Sequence, residues 1–277
     1  MGPSRILLLC AMPLLATTAA ALADAAAGSV FPVLRPRHPV AVIAHRGGSA
    51  LAPENTLAAL RNAVRLGADF VEIDVRATRD GRLVLMHDGS VDRTTDGTGK
   101  VAELDYATIR PLDAGSSFGP EFAGEGVPSF EEALDVCRGR VAVYLDHKDG
   151  PVPTILAALD AAGMRDQVVI YDGLDEAREW NRLAPDIPVM VSPEERDRST
   201  EGLAALLALV PVGVLDGGAH EWTPELVRAA HEVGAIVYVD NLGPLDNREW
   251  ITRSLEMGVD GIQTDHPDVV LGMLRGR

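Results

Sequence analysis

The sequence predicts a (β/α)8 TIM barrel, and three observations lead to this fold class. Short runs rich in Val and Ile alternate with helical patterns along most of the chain. Most of these runs are apolar on both faces, as buried parallel strands are. The length of 277 residues is ordinary for one such barrel. A doubly wound open sheet is the alternative, but it rarely needs eight such units.

The predicted elements alternate regularly along the chain. Strands are expected at residues 40–44, 70–76, 141–145, 168–172, 188–192, 212–216, 235–240 and 259–264. Helices are expected at residues 55–66, 129–138, 152–163, 175–184, 200–209, 223–233, 247–257 and 267–275. Eight strands alternating with eight helices is the element count of the TIM barrel.

Capping residues mark the ends of the predicted helices. Asn55 is expected to cap the first helix, and Gly67 ends it. Thr223 is expected to cap the sixth helix, with Pro224 at the first helical position and Gly234 after the last turn.

One connection is much longer than the others. Residues 79–128 separate the second strand from the second helix, and they contain an extra strand-like run at 82–88. Loops of this length in compact domains are usually functional lids or small inserted subdomains. We therefore expect a small insertion at this point of the barrel.

The N-terminal residues 1–23 have the pattern of a secretory signal peptide. Arg5 precedes a long apolar run, and residues 21–23 match the small-x-small cleavage pattern. Residues 24–39 are expected to form a linker, and residues 40–277 the barrel domain. The sequence therefore predicts a secreted or periplasmic protein with no stable membrane insertion after cleavage of the signal.

The charge balance restricts the partners of the protein. A formal net charge of −16 argues against nucleic acid as the partner, because a phosphate backbone would be repelled. A small anionic substrate needs strong local positive charge, from a metal ion or from basic side chains placed at the site. The chain has two lysines, Lys100 and Lys148, so their positions are informative.

Polar residues end the first two predicted strands, at the mouth where TIM barrels hold their ligands. His45 and Arg46 follow the first strand. Alternation places Glu72 and Asp74 on the same inner face of the second strand. Two neighbouring carboxylates repel each other unless a cation or a proton lies between them. We therefore predict one divalent cation here, Ca²⁺ or Mg²⁺, because both prefer oxygen ligands.

The third strand and the extra strand add to this mouth. Asp146 and Lys148 share a face of the third strand, where they suit a third metal ligand and a phosphate contact. His87 ends the extra strand and provides a second imidazole beside His45. Two histidines and a metal ion suit phosphodiester hydrolysis, since one imidazole accepts a proton and the other donates one.

Several motifs together resemble one family, the glycerophosphodiester phosphodiesterases, which are metal-dependent hydrolases on a TIM barrel. The motifs are HRGGSALAPENT, VEIDVRATRDGRLVLMHD, RTTDGTG, VPSFEEAL, LDHK and VDGIQTDHPD. The resemblance covers nearly all of residues 24–277. It implies that Glu72 and Asp74 bind the metal ion, that His45 and His87 form the acid–base pair, and that Arg46 contacts phosphate.

The sequence departs from the family pattern at two places. The third ligand of the family is usually Glu in a Glu-x-Lys pattern, whereas here Asp146 precedes Lys148 by two residues. The shorter carboxylate is still expected to reach a cation. The family usually has Trp near the end of the seventh strand, where this chain has Tyr238, so we expect a different shape of the substrate pocket.

Some residues near the motifs allow two interpretations. Glu54 is either an acid in the first helical turn or a residue that orients Arg46 for substrate binding. Gly47 and Gly48 form either a plain turn or a surface that lets phosphate approach the backbone. A role as a helix cap explains Asp265 as well as a catalytic role does.

The expected reaction is hydrolysis of a small glycerophosphodiester to glycerol 3-phosphate and an alcohol. One alternative is a phospholipase-D-like hydrolase of lysophospholipids or sphingolipids, although the 4% aromatic content offers no obvious membrane-binding surface. Another alternative is a non-catalytic exported barrel that binds phosphodiesters. Such a barrel would be expected to have lost a histidine or a ligand, whereas this chain retains all of them.

Overall fold

A computed structural model describes residues 31–210 and 212–276. The strands are β1 (Ala41–Ala44), β2 (Phe70–Ala77), β3 (Leu83–Leu85), β4 (Ala142–His147), β5 (Val168–Tyr171), β6 (Val189–Val191), β7 (Val214–Leu215), β8 (Ile236–Asn241) and β9 (Gly261–Thr264). The helices are α1 (Leu57–Leu66), α2 (Tyr106–Ile109), α3 (Phe130–Cys137), α4 (Val152–Ala162), α5 (Leu174–Leu183), α6 (Thr200–Leu209), α7 (Pro224–Glu232), α8 (Arg248–Met257) and α9 (Pro267–Arg275).

Eight of these strands form a closed parallel barrel surrounded by helices. The hydrogen-bonded order is β1-β9-β8-β7-β6-β5-β4-β2, and β1 also pairs with β2. The last pairing closes the sheet, so the prediction of a TIM barrel is confirmed and the open-sheet alternative is wrong. Every predicted strand and helix is present, with ends that differ by up to two residues.

The barrel interior changes from apolar to polar along the strands. Its lower part, at the N-terminal ends of the strands, contains buried hydrophobic side chains: Ala41, Ile43, Phe70, Tyr144, Val169, Met190, Val214 and Tyr238. Phe70 and Tyr238 meet edge to face, with 5.8 Å between their ring centroids. Tyr238 is therefore part of this floor, so the expectation that it shapes the substrate pocket is wrong. The inward-facing β8 residue one step nearer the mouth is Asp240.

Residues 31–39, which were expected to form part of a linker, pack under the barrel. Leu34 is buried against the lower interior, and Phe31 and Val33 pack beside it. The Arg37 backbone N–H donates to Asp69 Oδ1 over 2.8 Å. Apolar contact and hydrogen bonding therefore attach this segment to the domain. The predicted signal peptide, residues 1–23, lies outside the described residues.

The insertion at residues 79–128 has a small core of its own. Strand β3 pairs with β2 in antiparallel register, with Leu85 opposite Val75. A separate apolar cluster lies inside the insertion: Val84, Met86, Val91, Val101, Ile109, Ala114 and Val127. The single-turn helix α2 was not predicted. His87 lies two residues after the end of β3, so this subdomain positions it at the barrel mouth.

The cap of helix α1 lies one residue after the predicted cap, Asn55. Its cap is Thr56, whose hydroxyl accepts from the Ala59 backbone N–H over 3.2 Å. The prediction that Asn55 caps this helix is wrong, because the Asn55 side chain turns toward the barrel. Within residues 31–210 and 212–276, none of the helices is both long and apolar enough to cross a membrane.

Candidate active site

Three carboxylates converge at the carboxyl ends of β2 and β4. Asp74 lies directly opposite Asp146 in the strand register, and Glu72 lies one inward step below Asp74. One oxygen from each of the three residues lies within 4.8 Å of those of the other two. Glu72 and Asp74 are buried. We call Glu72, Asp74 and Asp146 the carboxylate triad. The structure thus brings together the three residues predicted to bind the metal ion.

The electrostatics of the triad favour a cation. Burial, followed by the charges of Asp74 and Asp146, raises the pKa of Glu72 well above its usual range. Burial also raises the pKa of Asp146, although Lys148 opposes this. The donor atoms are all carboxylate oxygens, the ligands that Ca²⁺ and Mg²⁺ prefer. The triad therefore fits a hard divalent cation.

Lys148 and Arg46 are the basic residues in contact with the triad in the described chain. Lys148 Nζ lies 2.5 Å from Asp146 Oδ2 and 3.2 Å from Asp74 Oδ1. Arg46 Nε lies 3.4 Å from Asp74 Oδ2, and the Arg46 backbone N–H donates to Glu72 Oε2 over 2.6 Å. Both predicted phosphate contacts thus lie beside the triad, where they already offset part of its charge.

A left-handed turn places the Arg46 backbone against Glu72. Arg46 has φ 50°, a conformation that costs energy for a residue with a side chain. The next residue, Gly47, packs against helix α1, and a Cβ there would lie 2.6 Å from the Ala59 Cβ. The close approach of this helix thus explains Gly47, in favour of the turn interpretation over phosphate access.

Glu54 lies before helix α1 and holds two guanidinium groups. Its Oε1 accepts from Arg46 Nη1 over 3.0 Å. Both of its oxygens also accept from Arg93 over 2.8 Å. Of the two interpretations of Glu54, the structure favours the one in which it orients Arg46, since α1 begins only at Leu57.

Asn55 supports Asp74 and was missed as a site residue. Its amide Nδ2 donates to Asp74 Oδ2 over 2.7 Å, and its Oδ1 accepts from the Asp74 backbone N–H over 3.2 Å. Asn55 has φ 57°, which Asn tolerates better than most residues. This positive φ turns the side chain from the helix end toward the barrel. The sequence signal that could have identified this residue is the presence of Asn in a turn shortly after the HRGG motif.

Each predicted catalytic histidine is held by a carboxylate at Nδ1. His45 Nδ1 lies 2.6 Å from Asp265 Oδ1, which also accepts from Ser49 Oγ over 2.5 Å. His87 Nδ1 lies 2.8 Å from Asp88 Oδ1. A carboxylate at Nδ1 favours the tautomer with the proton on Nδ1 and the lone pair on Nε2. Among the described residues neither Nε2 has a hydrogen-bond partner.

The carboxylates behind the two histidines stay ionised. Burial raises the pKa of Asp265, but hydrogen bonds from His45 and Ser49 outweigh it, so the pKa is lowered. The guanidinium of Arg93 is the main reason why the pKa of Asp88 is strongly lowered. Sequence reasoning missed Asp88 and Arg93 and left Asp265 undecided.

His147 is the last residue of β4, next to Asp146, but its side chain belongs to the helix layer, as expected. Its Nδ1 lies 2.5 Å from Asp172 Oδ2, and its Nε2 lies 2.9 Å from the Gly150 carbonyl oxygen. Its ring meets Trp180 edge to face, with 5.6 Å between the ring centroids. The structure therefore separates His147 from the mouth.

Comparison with known proteins assigns this site to a class. Residues 45–269 match the model of the glycerophosphoryl diester phosphodiesterase family. The chain is 32% identical over 249 residues to the glycerophosphodiester phosphodiesterase of Caldanaerobacter subterraneus subsp. tengcongensis, covering 84% of this chain and 97% of that protein. Fold and site thus define a phosphoric diester hydrolase. The chain belongs to the glycerophosphoryl diester phosphodiesterase family.

Solved structures agree with this assignment. The glycerophosphodiester phosphodiesterase of Agrobacterium tumefaciens superposes with a TM-score of 0.75 at 29% identity, covering 84% of this chain and 99% of that one. A phosphodiesterase of Oleispira antarctica, solved in complex with the product sn-glycerol-3-phosphate, gives a TM-score of 0.72 at 26% identity. That alignment covers 86% of this chain and 97% of that one.

Proposed function

We propose that this protein hydrolyses glycerophosphodiesters with a divalent cation on the carboxylate triad and with His45 and His87 as proton-transfer groups. The observation that carries the proposal is that the two imidazoles have the same hydrogen-bonding pattern. Each has Nδ1 fixed by a carboxylate and Nε2 free of described partners. An acid–base pair needs two such nitrogens on one mouth.

The atoms of the reaction balance with these groups. The oxygen of a water molecule forms a bond to phosphorus, and the bond between phosphorus and the alcohol oxygen breaks. The Nε2 of one histidine accepts a proton from the water, and the Nε2 of the other donates a proton to the departing alkoxide. The products are glycerol 3-phosphate and the free alcohol.

Positive charge at the mouth stabilises the negatively charged phosphate oxygens of the substrate. Arg46 and Lys148 provide fixed cationic groups beside the triad. A bound divalent cation would add charge stabilisation as the phosphorus oxygens become more negative. Ca²⁺ and Mg²⁺ both suit the all-carboxylate donor set.

The test is release of glycerol 3-phosphate from glycerophosphocholine with Ca²⁺ or Mg²⁺ present. We expect activity that EDTA abolishes, together with a rise in the melting temperature when the ion is added. His45→Ala should lose hydrolysis, whereas His231→Gln, at the opposite end of the barrel, should keep it. Activity that is unchanged in EDTA, or full activity in His45→Ala, would contradict the proposal.

The same assay tests the lipid alternative. Rates on glycerophosphocholine and on its acylated form distinguish a headgroup diesterase from a phospholipase-D-like enzyme. We expect the water-soluble diester to be preferred. A clear preference for the acylated form would favour lysophospholipids as substrates instead.

We also propose export, which depends on residues outside the described part of the chain. The support is the signal-peptide pattern at residues 1–23. N-terminal sequencing of protein from the periplasm or the medium should find a chain that starts at Asp24. Recovery of full-length protein in the cytoplasm would contradict this proposal.

A further inference from the structure

A second group of buried acceptors lies across the mouth from the carboxylate triad. Asp240 on β8 pairs in register with Gln263 on β9, and Gln263 pairs with Ile43, two residues before His45. Asp216 comes directly after β7, and Gly218, two residues further on, pairs with Asp240. Asp216 therefore lies one inward-facing position below Asp240. We call Asp216, Asp240 and Gln263 the acceptor wall. The wall begins beside His45.

The acceptor wall has few donors of its own. Asp216 Oδ2 accepts from the Tyr144 hydroxyl over 3.1 Å, and the Gly217 backbone N–H also acts on the Asp216 carboxylate. Asp240 Oδ1 accepts from Gln263 Nε2. Asp216 is 1% exposed and Gln263 is 4% exposed. Asp216 Oδ1 and Gln263 Oε1 have no hydrogen-bond partner in the described chain. Buried acceptors without donors are uncommon and point to a missing partner.

The wall also lacks a close cation. Among the described residues, neither Asp216 nor Asp240 lies within ion-pair distance of a Lys, Arg or His side chain, although His45 and Lys148 act on Asp240 from farther away. Burial, and then the charge of Asp240, raises the pKa of Asp216 well above its usual range. Two buried carboxylates without a counter-ion favour a positively charged ligand.

The hydrogen-bonding chemistry decides between candidate ligands. A hydroxyl group both donates and accepts, so a hydroxyl-binding surface usually offers both kinds of partner. The atoms left open on the acceptor wall only accept. A primary ammonium group has three donors and no acceptor. A quaternary ammonium group has the charge but no N–H, so it would leave the free acceptors unpaired.

We propose that the acceptor wall is a specificity site for a protonated primary amine on the leaving alcohol, as in an aminoethyl phosphodiester. This inference rests on the proposed function. Because the wall adjoins His45, it also places the leaving alcohol on the His45 side of the phosphate. Asp240, which is partly exposed at the mouth, contacts the ammonium group, and the unpaired Asp216 Oδ1 lies beneath it as an acceptor.

The test compares three esters of glycerol 3-phosphate in the presence of Ca²⁺ or Mg²⁺. The leaving alcohol is ethanolamine, choline or glycerol. Ethanolamine has both a positive charge and N–H donors, choline has the charge alone, and glycerol has neither. We expect the ethanolamine ester to have the highest kcat/KM. Asp240→Asn should lower the ratio of ethanolamine to glycerol ester roughly 10- to 100-fold, the usual size of a charged hydrogen bond.

A matched control removes the same charge elsewhere. Glu201→Gln, exposed on helix α6, should leave all three rates unchanged. The proposal is overturned if the unaltered enzyme shows no preference, or if Asp240→Asn lowers all three rates by one factor. In either case the glycerol ester is still hydrolysed and the proposed function stands. If no ester is hydrolysed, the proposed function fails and this inference fails with it.

A second measurement needs no variant. Ethanolamine, choline and ethylene glycol are compared as competitive inhibitors of hydrolysis of the glycerol ester. We expect ethanolamine to inhibit at concentrations at which the other two have little effect. Equal inhibition by ethanolamine and choline would show that N–H donors are not recognised and would overturn the proposal.

Discussion

The carboxylate triad and the acceptor wall are built from similar side chains at the same barrel mouth, yet they differ in their partners. The triad is surrounded by donors and cations, with Asn55, Arg46 and Lys148 in contact with it. The acceptor wall is held by Tyr144 and by its own Gln263, and keeps two buried oxygens unpaired.

The difference shows how one mouth can serve two purposes. Donors that hold carboxylate oxygens in a fixed geometry prepare them as metal ligands. The unpaired oxygens of the acceptor wall remain available for a ligand that brings its own N–H groups. Under the proposed function, opposite sides of one mouth would recognise a metal-bound phosphate and a cationic substituent at the same time.

The largest effect is expected from Glu72→Gln in the triad. The substitution removes a metal ligand and the charged acceptor of the Arg46 backbone N–H. Because metal-assisted charge stabilisation is worth several kcal/mol, kcat/KM should fall by about three orders of magnitude. Steady-state kinetics on the glycerol ester, with circular dichroism to confirm folding, measures this. A loss of less than about tenfold would remove Glu72 from the metal site.

A smaller loss is expected from Asp265→Asn beside the acceptor wall. The amide no longer stabilises the His45 tautomer with its lone pair on Nε2, so kcat should fall about 10- to 100-fold with little change in KM. The pH profile of kcat should also change, because the carboxylate no longer fixes the tautomer and orientation of His45. The helix-cap interpretation of Asp265 is wrong, since the N-cap residue of α9 is His266. An unchanged pH profile would indicate that Asp265 has only a structural role in holding His45 and Ser49.

Asp216→Asn should stabilise the protein while the triad substitutions impair catalysis. Burial, then Asp240, raises the pKa of Asp216 above the usual 3.8, so its ionised form is disfavoured in the fold. The free energy of unfolding should rise by about 1 kcal/mol, which corresponds to about 2–4 °C in Tm. This gain should be largest at neutral and alkaline pH. It should shrink as the pH falls through the raised pKa and disappear below 3.8.

Thermal unfolding in EDTA at several pH values measures this gain. The matched control is Glu201→Gln, whose exposed carboxylate should change Tm by little at any pH. A loss of stability in Asp216→Asn at pH 8 would show that the hydrogen bond from Tyr144 to the ionised carboxylate outweighs the cost of burying its charge.

The smallest effect is expected at the opposite end of the barrel, where His231 Nε2 lies 2.8 Å from Asp260 Oδ2. This hydrogen bond raises the pKa of His231 despite partial burial. The pair should therefore stabilise the fold fully below pH 6.5 and lose that contribution as the pH rises through the raised value. Because the pair is partly exposed, His231→Gln should cost less than about 1 kcal/mol. Urea unfolding at pH 6 and pH 9 checks the sign.

The sequence predicted the fold and the triad well because both depend on local periodicity. Strands buried on both faces read as continuous apolar runs, and the two-residue repeat places Glu72 and Asp74 on one inner face. The parallel register then brings Asp146 beside Asp74. Contacts of this kind follow once the barrel is assumed.

The supporting residues could not be predicted in the same way. Asp265 holds His45 from 220 positions away, a contact that only the closure of β1 against β9 creates. Asn55 was misassigned because a positive φ turns it from the helix end to Asp74. Asp216 and Asp240 gave no motif, because their significance depends on which neighbours lack donors.

The separate core of the insertion has an evolutionary consequence. His87 and Arg93 belong to a subdomain that packs around its own apolar cluster, while the triad belongs to the barrel strands. We therefore expect residues 79–128 to be exchangeable between homologues when the packing of Leu83 and Leu85 against the main core is kept. Under the proposed function, such chimaeras would change one proton-transfer group and leave the cation ligands unchanged.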